Sequence, residues 1–93
     1  MKKAYIYIGS NNETHLLEAD KAIEKISEYF DGFSTYEIIG FWKGNKEKTL
    51  KVEIAIDEEQ NSKIVKLCKE LKIILKQEAI MLEVVNSNIA FIQ

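Results

Sequence analysis

The spacing of the apolar residues constrains this 93-residue chain more than any other feature of its sequence. Along the chain it changes from the two-residue repeat of a strand to the repeat of about 3.6 residues of a helix, and back. The repeats follow one another in the order strand, helix, strand, strand, helix, strand. Because domains run from about 50 to 250 residues, one such series in a chain of this length predicts a single domain over residues 1–93.

The first strand and the first helix are expected before residue 33. Residues 3–8 are rich in β-branched and aromatic side chains, and their even-numbered residues share one face, which leaves Tyr5 and Tyr7 on the other. Apolar residues then recur at helical spacing from Leu16 to Phe30. Two local signals mark the ends of this helix: a capping box at Ser10 and Glu13, and a left-handed Gly32 just after it.

The second half of the chain predicts a hairpin, a second helix and a last strand. Residues 33–42 are β-prone, residues 43–46 supply a turn, and residues 48–57 alternate between apolar and polar side chains. Residues 79–85 alternate again, and residues 89–92 are a candidate for a short fifth strand. The apolar stripe of the second helix consists of Ile64, Leu67, Cys68, Leu71, Ile74 and Leu75.

This order of elements predicts an α+β fold, the ferredoxin-like β-α-β-β-α-β plait. Two right-handed crossovers then give a four-stranded antiparallel sheet with both helices on one face. The other face of the sheet is left open.

The open face is the unusual surface of this chain, since solvated faces of antiparallel sheets are mostly polar. Alternation places Tyr5, Tyr7 and Met81 on it, together with Lys51 and Glu53. An apolar patch of this kind usually marks an interface or a binding groove.

The register of the second strand stays open at this stage. A turn of even length points Phe41 and Ile39 toward the helices, and Glu37 with them. A turn of odd length, with a bulge, points Tyr36 and Trp42 toward the helices instead. In either register a large apolar or aromatic set remains on the open face.

The charge balance excludes several classes of function. Thirteen Lys and no Arg stand against 15 acidic residues, a net charge of −2, so nothing favours a nucleic acid or an anionic membrane as the partner. A single Cys and a single His predict no disulfide, no metal and no cofactor. Without a secretory leader or an apolar span of about 18 residues, we expect a cytoplasmic protein.

Two short motifs resemble known proteins. Residues 32–42 read GF-x-x-YE-x-x-G-x-W, and Gln77-Glu78-Ala79 precede the last strand. They resemble a loose group of short, uncharacterised bacterial and phage proteins without an assigned activity, over about Tyr5 to Phe91. The resemblance implies a compact α+β fold and a phage or prophage setting, in which small proteins often bind a host factor or sequester a small molecule.

These features favour a non-enzymatic binding protein that self-associates as a homodimer through the open face. The residues expected in that contact are Tyr5, Tyr7, Tyr36, Trp42 and Met81. The alternative is a small-molecule-binding or catalytic domain whose pocket lies at the same face, with Glu37, Lys51 and Glu53 as its polar groups.

Overall fold

Four strands form one antiparallel sheet in the computed structural model, which describes residues 1–93. The elements are β1 (Lys2–Ile8), α1 (Ala19–Ser27), β2 (Ser34–Trp42), β3 (Asn45–Ile56), α2 (Asn61–Ile74) and β4 (Met81–Asn86). The strand order is β2-β3-β1-β4, so β1 and β3 are central and β2 and β4 are the edges. The predicted α+β class and ferredoxin-like plait are confirmed. Neither helix has the length and apolarity that crossing a membrane requires.

The core lies between the two helices and one face of the central strands. The even-numbered residues of β1 from Ala4 onward and of β3 from Leu50 onward are buried there, against Ala22 and Ile26 of α1 and the apolar stripe of α2. Burying one such aliphatic side chain contributes roughly 1.5–3 kcal/mol. The fourteen buried apolar residues are Ala4, Ile6, Ile8, Ala22, Ile26, Phe30, Leu50, Val52, Ile54, Ile56, Ile64, Leu67, Leu71 and Leu75.

The hairpin between β2 and β3 has a two-residue turn, which decides the register that the sequence left open. Trp42 pairs with Asn45, and both Lys43 (φ 51°) and Gly44 (φ 79°) are left-handed, as a type I′ turn requires. The even-numbered residues of β2 therefore lie on the open face. Glu37 pairs with Leu50 and lies on the helix side.

The first helix starts later than the sequence predicts, because the expected capping box at Ser10 and Glu13 does not form. The Ser10 hydroxyl donates instead to the Lys48 carbonyl oxygen, 3.2 Å away. Asn11 Oδ1 accepts from the Glu13 amide at 2.7 Å and from the Thr14 amide at 3.1 Å, which makes a turn rather than a helix start.

Two further predictions for chain ends and turns are wrong. Gly32 is not in the left-handed region, since α1 already ends at Ser27 and a turn separates the two. Residues 89–92 form no fifth strand. Lys76 (φ 54°), not a glycine, takes the left-handed conformation after α2.

Candidate functional site on the open face

Three tyrosines surround one lysine at the centre of the open face. The Lys51 ammonium lies 4.8 Å from the centre of the Tyr5 ring and 5.5 Å from those of Tyr7 and Tyr36. Strand pairing explains this tyrosine cluster, because Lys51 is directly opposite Tyr7 on one side and Tyr36 on the other. A cation over an aromatic face is attracted by the ring quadrupole, by about 0.5–1 kcal/mol at exposed sites.

Glu53 contacts the tyrosine cluster on one side and forms an ion pair with Lys3 on the other. The Tyr36 hydroxyl donates to Glu53 Oε1 at 2.5 Å, and the Lys3 ammonium lies 3.4 Å from Glu53 Oε2. The hydrogen bond from Tyr36 is the main cause that lowers the pKa of Glu53. Hydrogen bonding with the same tyrosine raises the pKa of Lys51, so this lysine stays protonated and is neither a base nor a nucleophile at neutral pH.

Beside the tyrosine cluster, the open face forms a groove of about 620 Å³. This volume lies in the range of roughly 300–1,000 Å³ that is usual for small-molecule sites. The lining combines aromatic and apolar side chains with two carboxylates and contains no lysine. Its residues are Tyr7, Gly9, Ser10, Asn12, Ile38, Gly40, Phe41, Trp42, Glu47, Thr49, Gln77, Glu78, Ala79, Ile80 and Met81.

Glu47 on β3 is one of the two carboxylates that line the groove. It is directly opposite Gly40 in the hairpin, and its Oε2 accepts from the Ser10 amide at 3.2 Å. Its side chain lies so close over Gly9 that a Cβ atom there would collide with Oε1. No ammonium group lies within 4.0 Å of this carboxylate. Its negative charge is therefore available to a ligand.

Glu78 joins the two sides of the groove at one end. Its Oε2 accepts from Trp42 Nε1 at 3.0 Å, and its Oε1 forms an ion pair with Lys43. We refer to these contacts as the Trp42–Glu78 bridge. Next to it, Gln77 fixes the start of the loop after β1, accepting from the Gly9 amide at 3.1 Å and donating to the Ser10 carbonyl at 2.8 Å.

The Trp42–Glu78 bridge should open in acid, with a midpoint below pH 4.5, the ordinary pKa of a glutamate. Hydrogen bonds from Lys43 and Trp42 lower the pKa of Glu78. The bridge is therefore intact above pH 4.5, and it is lost as the pH falls through the lowered pKa of Glu78 in the folded protein. Trp42 is the only tryptophan, so its fluorescence reports the change directly. Glu78→Gln should abolish the transition; a midpoint at or above 4.5, or persistence in this variant, would contradict the assignment.

The structure brings most of the residues singled out from the sequence to one face. The residues that lie together there are Tyr5, Tyr7, Tyr36, Trp42, Lys51, Glu53 and Met81. Glu37 is the exception: it lies on the other side of the sheet, so the expected proximity of Glu37 to Glu53 and Lys51 is wrong.

Glu47, Gln77 and Glu78 were missed as groove residues. The sequence starts the third strand at residue 48, whereas β3 begins at Asn45. Had the alternation been extended by three residues, it would have placed Glu47 on the face of Lys51. Gln77 and Glu78 stand out in the sequence only as part of the motif before the last strand, because their loop reaches the groove only through the tertiary fold.

The remaining candidates for reactive chemistry are Cys68 and clusters of metal-ligating side chains. Burial raises the pKa of the Cys68 thiol to about 11, so it is protonated at neutral pH. No three His, Cys, Asp or Glu side chains lie close enough together to hold a metal ion.

No family model matches this chain, and no curated protein matches it either. Its fold is similar to that of a phage SAM lyase in the apo state, with a TM-score of 0.72 and 22% identity over 89% of this chain and 78% of that one. It is also similar to a DUF3240 family protein from Shewanella baltica OS155, with a TM-score of 0.68 and 16% identity over 99% and 96% of the two chains. At these identities the similarity shows the shared fold alone.

Proposed function

We propose that this domain binds a small organic cation of the SAM class in the groove on its open sheet face. The observation that carries the proposal is the composition of the groove: Tyr7 and Trp42 line it together with Glu47, a carboxylate that has no ammonium within 4.0 Å. Aromatic faces attract cations and also stack on planar heterocycles. SAM contains both a cation and a planar heterocycle, since it carries a positively charged sulfonium and an adenine ring.

The ligand class is supported by the similarity to the phage SAM lyase, which extends over most of both chains. A phage or prophage origin is part of the proposal, and the resemblance of residues 32–42 to short bacterial and phage proteins supports it as well. In that setting, binding without turnover would sequester the ligand. Lys51 and Glu53 would hold the tyrosine cluster in shape beside the groove, not react with the ligand.

Titration with SAM should quench or shift the fluorescence of Trp42, with saturation at roughly micromolar concentration. The physical reason is direct contact, because Trp42 lines the groove and is 49% exposed. Ile73→Ala is a control for a nonspecific apolar effect, since that side chain is 72% exposed on α2 and does not line the groove.

Proton NMR of the same sample follows the ligand itself. Intact SAM after prolonged incubation supports binding without turnover, whereas its conversion would establish the catalytic alternative. Absence of saturable binding up to millimolar SAM would overturn the proposal.

Self-association through the open face is a second candidate, favoured by the exposure of aromatic and apolar side chains at its rim. Tyr36 is 41% exposed and Met81 is 59% exposed. A second copy or a host protein could cover them together with Tyr5 and Tyr7. The test is the mass of Tyr7→Lys in solution. This change places a second ammonium opposite Lys51, so a dimer held together by the open face should dissociate into folded monomers.

A further inference from the structure

The outer edge of β2 carries backbone groups with no partner. In a hairpin closed by a two-residue turn, the closing pair is hydrogen-bonded and the pairs alternate from there. Since Trp42 and Asn45 are the closing pair, the odd-numbered residues of β2 direct their N–H and C=O groups away from β3. None of these groups takes part in any other hydrogen bond of the chain.

This edge has few of the features that normally prevent strand pairing. Proteins protect exposed edges with lysine, proline, bulges or very short strands. β2 is nine residues long and pairs with β3 without a bulge. It contains no proline and none of the chain's 13 lysines, and Glu37 is its only charged residue.

The side chains of this edge strand are also uncovered on the helix side. Ile39 is 55% exposed and Phe41 is 71% exposed, because the helices pack over β1 and β3 and do not reach the end of β2. The strand therefore offers apolar side chains as well as hydrogen-bonding groups to a partner.

We propose that β2 pairs with β2 of a second copy of this chain, antiparallel about a two-fold axis at Ile39, so that the two sheets become one. An isologous contact needs a surface that complements itself. In this register Ile38 lies opposite Gly40 of the partner subunit, and Tyr36 lies opposite Trp42 of the partner subunit. Glu37 lies opposite Phe41 of the partner subunit, which keeps the two Glu37 carboxylates apart. A two-fold axis at Glu37 would place them face to face.

The pairing adds a residue to the binding groove. Trp42 forms one wall of the groove, and Tyr36 of the partner subunit would stand beside it on the same sheet face. The contact uses the edge of the sheet and not its face, so it leaves the groove open to a ligand. It does not depend on the identity of that ligand.

Light scattering measures the proposed pairing directly. At about 100 μM the chain should have twice its 10.7 kDa mass, and Ile39→Lys should reduce it to the mass of one chain, because a lysine at an edge opposes strand pairing. Circular dichroism should show that the variant is folded. Ile73→Lys is the matched control: that side chain is 72% exposed on α2, so the variant should remain dimeric.

Disulfide trapping tests the register. In a Cys68→Ala background, Ile39→Cys places two thiols on residues whose Cα atoms are about 5.5 Å apart in a hydrogen-bonded pair, a distance that a disulfide spans. Glu37→Cys is the control, since its two copies lie four residues apart along the strand, about 13 Å. Rapid oxidation to a covalent dimer is expected for Ile39→Cys alone.

Three results would overturn the proposal: a monomeric wild-type protein at about 100 μM, an unchanged mass for Ile39→Lys, or faster oxidation of Glu37→Cys than of Ile39→Cys. If Tyr7→Lys dissociates the dimer and Ile39→Lys does not, association through the open face is supported instead. All these readouts are masses or crosslinks, so they remain informative whether or not SAM binds.

Discussion

Replacing Leu71 with alanine should lower the free energy of unfolding by about 2–5 kcal/mol, a large share of the roughly 5–15 kcal/mol that stabilises a typical domain. Leu71 lies on the core side of α2 and is completely buried. The substitution removes apolar atoms from the core and leaves a cavity that the two packed layers can close only in part. Urea unfolding followed by circular dichroism gives the value.

Ile73→Ala is the matched control for this effect. It lies on the same helix but is 72% exposed, so its loss should change the free energy of unfolding by no more than about 0.5 kcal/mol. If Leu71→Ala cost less than about 1 kcal/mol, the assignment of α2 to the core would be wrong.

Replacing Glu47 with glutamine should weaken SAM binding at least tenfold while leaving the binding of S-adenosylhomocysteine unchanged. Glutamine has the same shape and can still accept from the Ser10 amide, so the groove keeps its form and loses only the negative charge. The two ligands differ in the sulfonium charge, which S-adenosylhomocysteine lacks. A tenfold loss corresponds to about 1.4 kcal/mol, a modest value for a charge pair that is partly shielded from water.

The control for Glu47→Gln is the same substitution at a second carboxylate on the open face. Glu83 serves, because it lies opposite Tyr5 on the open face but does not line the groove. Glu83→Gln should bind SAM like the wild type. Equal losses for both ligands in Glu47→Gln, or equal losses in the two variants, would show that Glu47 does not recognise the ligand's charge. Calorimetric titration measures all four combinations.

The faces of the elements could be predicted from the sequence because they depend on local geometry. In a strand, neighbouring side chains point to opposite sides, so burying Ile6 and Ile8 fixes the direction of Tyr5 and Tyr7. The same reasoning applies to β4, where Met81 lies on the open face, and to the stripe of α2 that includes Leu67 and Leu71. The order of these repeats also sufficed to predict the plait.

The tertiary structure alone decided how the second strand is turned and what surrounds the groove. The sequence of β2 is apolar on both faces, so alternation could not orient it; the two-residue turn at Lys43 and Gly44 did. That turn moved Glu37 to the helix side. It also brought Trp42 to the open face, within reach of Glu78, which is 36 residues away in the chain.

The ends of the helices and strands also depended on tertiary contacts and not on local sequence signals alone. Ser10 and Glu13 have the spacing of a capping box, yet Ser10 bonds to the Lys48 carbonyl and to Glu47, contacts that exist only once β3 lies beside the loop after β1. Side-chain periodicity is a local property that each segment carries by itself. Which loops meet, and which polar groups they bring into one groove, depends on packing between segments distant in sequence, and only the folded chain supplies that.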